Sequence, residues 1–293
     1  MDELVRACAA GNYDRVLELL TGTDPPDLDA IQYGRAPLAH AGSVEVVEVL
    51  LGAGASVDSM AGHDDVLQVI VSEASSLRTV PERVGAARLL LAAGARLDRR
   101  DAWGNTRLWT AAFSGDADAV EALLTLGLAA EDDPAPLAAA CWGSGDEHTE
   151  RIVDLLVSAG ADPARRDLAG WSAVHGAAMP YSHGDGFESS DGASPTALRA
   201  LHRAGASLDV AGPGGTTALM LAAEGGELEA LATLLELGAD RRRRDGNGAT
   251  AADRARVAAA SLAGVLADAD PSQTPAVQAA LDRVNACIVR LAP

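Results

Sequence analysis

The 293-residue chain contains no lysine; all 23 of its basic residues are arginine. That removes chemistries that depend on a lysine amine, among them Schiff-base aldolases, pyridoxal-phosphate enzymes, P-loop NTPases and protein kinases. Aromatic residues are scarce, with four Trp, three Tyr and two Phe. The interior must therefore be built from Ala, Leu and Val, which suits small, regular helices. Three widely spaced cysteines, Cys8, Cys141 and Cys287, give neither a disulfide framework nor metal-ligand spacing and read as reduced thiols. No run approaches about 18 uncharged apolar residues, so a membrane span is not expected. The opening MDELVRACAAGN carries acids where a secretory signal needs an apolar segment, and a cytoplasmic location is expected. The missing Lys, with abundant Ala, Arg and Gly, suggests a GC-rich bacterial genome.

Catalytic signatures are missing too. The sequence holds no His-Glu-x-x-His, Gly-x-Ser-x-Gly, Gly-x-Gly-x-x-Gly or Cys-x-x-Cys, and Gly212-Pro213-Gly214-Gly215 lacks the third spaced glycine. No cofactor or metal is expected. Forty-two acidic residues set the formal net charge at -19, which argues against nonspecific nucleic-acid binding and favours a basic partner.

What the sequence has is a repeat. Gly-Ala pairs recur at Gly54, Gly94, Gly160, Gly205 and Gly238, with Gly127 between, at intervals of 40, 33, 33, 45 and 33 residues. GNTRLWTAAFSGDADAVEALLTLG (104–127) and GTTALMLAAEGGELEALATLLELGAD (215–240) share one pattern. Thr106 and Thr217 stand where a hydroxyl caps a first helix, and Pro37 and Pro136 occupy the next slot. Ala-Ala pairs keep that helix thin, and Gly115 and Gly226 end it in a left-handed turn. A second helix buries a stripe such as Val120, Leu123 and Leu124, or Leu231, Leu234 and Leu235.

With its 33-residue period and these motifs, nearly the whole chain resembles the ankyrin-repeat family. The resemblance implies an all-α solenoid of helix-turn-helix units with projecting turns, irregular repeats and a C-terminal capping helix. An N-terminal cap is placed at 2–31, repeats at about 32–58, 59–100, 101–129, 130–166, 167–211, 212–244 and 245–270, and a terminal helix at 271–293, all in one domain. Pro37 to Ser43 is one helical turn short, a longer connection runs around Ser72 to Arg83, and the largest insertion spans 180–194.

In such arrays, partners usually bind a concave face made by the projecting turns and the exposed ends of the first helices. Here those slots hold Tyr33, Met60, His63, Trp103, Asn105, Asp132 and Trp171 at turns, and Phe113, Trp142 and Met179 at helix ends. Tyr181 lies just beyond, in the insertion. Trp and Tyr on a rigid concave surface are the usual binding anchors; alternatively, the rings fill gaps between irregular repeats. The expected function is a non-catalytic binding or scaffold protein with an aromatic-lined groove for a protein partner. The alternative is a pocket protein, or an enzyme of cyclase or isomerase type, enclosing a small apolar molecule under the 180–194 insertion, with His183, Asp185 and Glu188 as acid–base groups. His175 keeps the family's histidine and is expected to brace adjacent turns. The pairs Arg99-Arg100, Arg165-Arg166 and Arg243-Arg244, each before an Asp, are expected along one edge of the array.

Overall fold

Each repeat contributes a short first helix, a tight turn and a second helix. The computed structural model describes residues 3–31, 33–58, 60–61, 64–72, 74–101, 103–130, 135–142, 146–167, 169–178, 193–269 and 273–292. The chain divides into two units: 1–112 with 116–134, and 113–115 with 135–293. The first holds α1 (Glu3–Ala9), α2 (Tyr13–Thr21), a 3-10 turn (Pro37–His40), α3 (Val44–Gly52), α4 (Val66–Val71), α5 (Val80–Ala92), α6 (Arg107–Phe113, its last residue grouped with the second unit) and α7 (Ala117–Thr125). The second holds α8 (Pro136–Trp142), α9 (Asp146–Ser158), α10 (Ala173–Gly176), α11 (Pro195–Arg203), α12 (Ala218–Gly225), α13 (Leu228–Glu236), α14 (Ala251–Asp268) and α15 (Thr274–Leu291).

In the second unit the first helices α8, α10, α12 and α14 pack in one row, and α9, α11, α13 and α15 in another. The first unit repeats the scheme, with α2, α3, α5 and α7 in sequence and the 3-10 turn between α1 and α4. The expected all-α class holds. Extended backbone among the described residues is confined to turns, as in the two-residue hairpin Met60–Ala61 with Asp64–Asp65 and the bridges Arg100–Thr106 and Arg166–Ser172.

The local signals act as their chemistry requires. The Thr106 hydroxyl accepts from the Trp109 N–H at 3.1 Å, and that of Thr217 from the Met220 N–H at 3.4 Å, satisfying donors that a helix start leaves open. Pro37 and Pro136 begin their helices, where a missing N–H costs nothing. Val120, Leu123, Leu231 and Leu234 are fully buried, while Leu124 and Leu235 are half-buried at the stripe's edge. Each fully buried Leu contributes about 1.5–3 kcal/mol of transfer free energy, and none can be buried without a neighbouring repeat. In the shortened second repeat the 3-10 turn stands in place of a first helix, ahead of α3. The region starting near Asp245 carries one 18-residue helix, α14, and α15 packs on it with Val284, Cys287 and Leu291 buried. All three cysteines are buried thiols. Burial pushes the Cys141 thiol up to about 12 and that of Cys287 up to about 11, which keeps both inert.

Two buried arginines tie the first unit together. Arg107 is 5% exposed, and all five of its N–H groups have acceptors. Nη1 donates to Asp65 Oδ1 at 2.8 Å and Gln68 Oε1 at 3.2 Å, Nη2 to Asp65 Oδ2 at 2.5 Å and the Arg96 carbonyl at 2.9 Å, and Nε to the Leu97 carbonyl at 3.3 Å. Asp65 meanwhile caps α4 by accepting from the Gln68 N–H at 2.9 Å. Arg83 does similar work around the long connection. It donates to the carbonyls of Leu77 and Val71 at 3.3 and 3.4 Å and lies 3.5 Å from Asp116, which caps α7.

Removing one member of such a pair strands a buried charge, which costs about 3–5 kcal/mol. Arg107→Met is expected to destabilise the first unit by that amount in urea denaturation. Adding Asp65→Ser, which keeps a capping oxygen and removes the stranded carboxylate, should restore more than half of it. A loss under about 1 kcal/mol for Arg107→Met alone would show that the pair is not buried.

Candidate functional site

The projecting turns share one hydrogen-bond scheme. At 101–105, the Asp101 N–H donates to the Asn105 carbonyl (3.0 Å) and the Gly104 N–H to the Asp101 carbonyl (3.1 Å). Asp101 Oδ1 accepts the N–H groups of Trp103 (2.9 Å) and Asn105 (2.8 Å). Gly104, at φ 86°, makes the left-handed corner that a Cβ would strain. Asp167 and Asp245 hold the turns at 167–171 and 245–249 in the same way. The paired arginines complete the motif. Arg100 donates to the Gly104 carbonyl at 2.8 Å and Arg244 to that of Gly248 at 2.6 Å. The aspartate therefore organises the turn amides, and the preceding arginine closes the turn from its carbonyl side.

These turns present the sequence-derived candidates differently. In the first unit, Trp103 is 73% exposed and Tyr33 is 68% exposed, the latter at a positive φ of 54°. Asn105 is half-buried, and its side-chain amide donates to Asp101 Oδ2 at 3.1 Å. Phe113, which groups with the second unit, is half-buried at the end of α6. In the second unit, Trp142 and Trp171 are half-buried against neighbouring repeats. A Cβ at Gly176 would lie 1.8 Å from Trp142 Nε1, so the indole occupies the space that a side chain there would need. A Cβ at Gly212 would lie 2.9 Å from the Trp171 ring, which stands edge-on to His175 at 5.2 Å. These two tryptophans thus contribute to packing between repeats. The side chain of Met60, with His63, Asp132, Met179, Tyr181, His183, Asp185 and Glu188, lies outside the described residues.

His175 braces adjacent turns, as expected. Its Nδ1 accepts from the Ser172 backbone N–H at 3.2 Å and lies 2.9 Å from the Ser172 hydroxyl. Nε2 then carries the proton and donates to the Thr216 carbonyl at 3.1 Å. Burial dominates the field at this ring and holds its pKa below the ordinary histidine value.

Sequence reasoning missed the recess beside Trp103. About 90 Å³ in volume, it is lined by residues including Arg99, Arg100, Trp103, Asn105, Asp65 and Arg107. Its signal was available. Arg107 fills a slot held by Pro37, Pro136, Ala173 and Ala218 in other repeats, and a charge there demands a partner. Among the described residues, no three His, Cys, Asp or Glu side chains gather as metal ligands, and no helix is long and apolar enough to cross a membrane.

A family model described as Ankyrin repeat matches residues 214–246. No curated protein sequence matches the chain. Among solved structures, the chain is similar to the human ASB11 ankyrin repeat domain, with a TM-score of 0.52 and 18% identity over 100% of this chain and 99% of that one. It is also similar to the ankyrin repeat domain of Bcl-3, described as a unique member of the IkappaB protein family, with a TM-score of 0.52 and 20% identity over 87% of this chain and 93% of that one. The fold is that of an ankyrin-repeat protein.

Two outcomes are expected for the second unit. Because the folded pKa of His175 lies below the unfolded one, the stability it supports is full above about pH 6.5 and is lost as pH falls through the folded value. Urea midpoints measured from about pH 7.5 to about pH 5 should fall more steeply in the wild type than in His175→Gln; parallel curves would exclude His175 as the source. Gly176→Ala should cost about 1–3 kcal/mol by overpacking. Combined with Trp142→Ala, it should cost less than the two single changes together, because the same volume is contested.

Proposed function

We propose that this ankyrin-repeat protein is a non-catalytic scaffold that binds a protein partner through its projecting turns, with Trp103 as the principal anchor. The observation that carries this reading is the 73% exposure of a tryptophan on a turn held rigid by its own hydrogen bonds. A large ring carried on backbone that is fixed before encounter leaves little chain to order on binding, and such a ring supplies much of a contact's energy. Scarcity sharpens the point: one of only four tryptophans is spent where it adds nothing to the core. Tyr33 offers a second exposed ring on the same unit. Within the second unit, Phe113, Trp142 and Trp171 offer a partner only the parts that packing leaves open. The net charge of -19 draws basic surfaces at long range.

The partner-binding reading is tested by quantitative capture from lysate of the source cells, comparing the wild type with Trp103→Ala. The variant should keep its unfolding free energy, measured in urea, within about 0.5 kcal/mol of the wild type, as substitutions at exposed positions do. It should also lose at least about 90% of the specifically captured protein, as expected when a dominant anchor is truncated. Undiminished capture by a folded Trp103→Ala protein would remove this turn from the interface.

A further inference from the structure

The recess beside Trp103 deepens that reading. Resting on it, we propose that the recess takes a carboxylate side chain of the partner, so that the bound segment carries an Asp or Glu next to an apolar residue that lies on Trp103. Three features lead there.

The first is size. At about 90 Å³ the recess is far below the roughly 300–1,000 Å³ of pockets that enclose metabolites. It fits one side chain.

The second is charge. Its lining includes Arg99, Arg100 and Arg107 against Asp65 and Asp101, a local balance of +1 in a chain of -19. Asp65 is already committed to the two Nη groups of Arg107 and to the α4 cap. Asp101 is committed to the amides of its own turn. The arginines of the lining that are not fully buried are Arg99, whose Nη1 stands 3.6 Å from Asp65 and whose side chain is 42% exposed, and Arg100, whose Nη1 holds the Gly104 carbonyl. The net charge acts over distance, but salt screens it beyond about 8–10 Å. At contact, the arginines next to the ring decide, and guanidinium groups receive carboxylates in paired hydrogen bonds.

The third is preorganisation. The Arg100 guanidinium is tied to the Gly104 carbonyl and the Trp103 backbone N–H to Asp101, so the turn that carries ring and charge is fixed before a partner arrives.

The test is a phage-displayed library of random dodecapeptides panned on the full chain, with affinities of the enriched peptides then measured by fluorescence polarisation. Enriched sequences should place Asp or Glu beside Leu, Ile, Phe or Trp. Arg99→Glu should weaken them at least about fivefold. Arg96→Glu changes the net charge equally, but that side chain pairs with Asp98 and is not among the recess lining; it should weaken them less than about twofold. Enrichment of basic or uncharged sequences, or equal effects of the two substitutions, overturns the carboxylate assignment. Peptides that depend on Trp103 but not on Arg99 uphold the binding face and overturn only the carboxylate. Peptides indifferent to Trp103→Ala, or no enrichment at all, overturn the face and the carboxylate with it.

Discussion

Stacking repeats buries polar groups along with apolar ones, and the structure depends on satisfying them. Each first helix begins next to a projecting turn, so helix-start N–H groups and turn carbonyls are covered when the next repeat packs on. An unpartnered buried polar group costs about 1–3 kcal/mol, enough to cancel the transfer energy of a core leucine. This protein answers with polar side chains that cross from one repeat to the next. In the first unit, Arg107 reaches back to Asp65. In the second, Ser172, His175 and the Thr216 carbonyl form a chain, and Arg254 extends it by donating to the Thr216 hydroxyl at 2.9 Å and pairing with Glu224 at 2.5 Å. Among the described residues no buried side-chain nitrogen or oxygen lacks a partner.

The two units meet this constraint with different chemistry. A neutral histidine makes the link in the second unit and stays neutral because burial opposes its charging. The first unit uses a fully charged ion pair, tolerable inside only because every guanidinium N–H and both carboxylate oxygens are engaged. The ion pair gives the recess its walls. A histidine at Arg107 could brace a turn, but it could not span Asp65, Gln68 and two backbone carbonyls at once. Local irregularity and candidate function thus fall at the same place.

How much of this was legible depends on how far apart the interacting residues are. Caps, helix starts and the missing turn after Pro37 are local events governed by three or four consecutive residues, and the sequence states them outright. His175 could be read because its slot recurs in a family pattern. The Arg107–Asp65 pair spans 42 positions, and no local rule links them. Its only trace is a charge in a slot otherwise apolar, next to an acid in the capping slot of the previous repeat. Trp142 and Trp103 occupy slots that looked equivalent as binding positions, yet one is half-buried and the other 73% exposed. What separates them is Gly176, which stands where Thr110 and Leu221 stand in other repeats and opens the space that Trp142 fills.

The absence of lysine takes on a structural meaning here. An ammonium group is a compact charge with three donors, whereas a guanidinium is a planar fork with five. Arg107 uses all five. Arg203 also needs a fork, since its two terminal nitrogens divide between Glu150 at 2.7 Å and Asp154 at 2.9 Å. Arg100 and Arg244 reach forward four residues to a glycine carbonyl. A repeat protein whose cations must each satisfy several acceptors in fixed directions, across turns and between helices, has work for arginine that lysine does poorly. The same directionality makes the Arg99–Arg100 edge suited to a planar carboxylate, so the residue type that closes the turns also selects what can dock beside them.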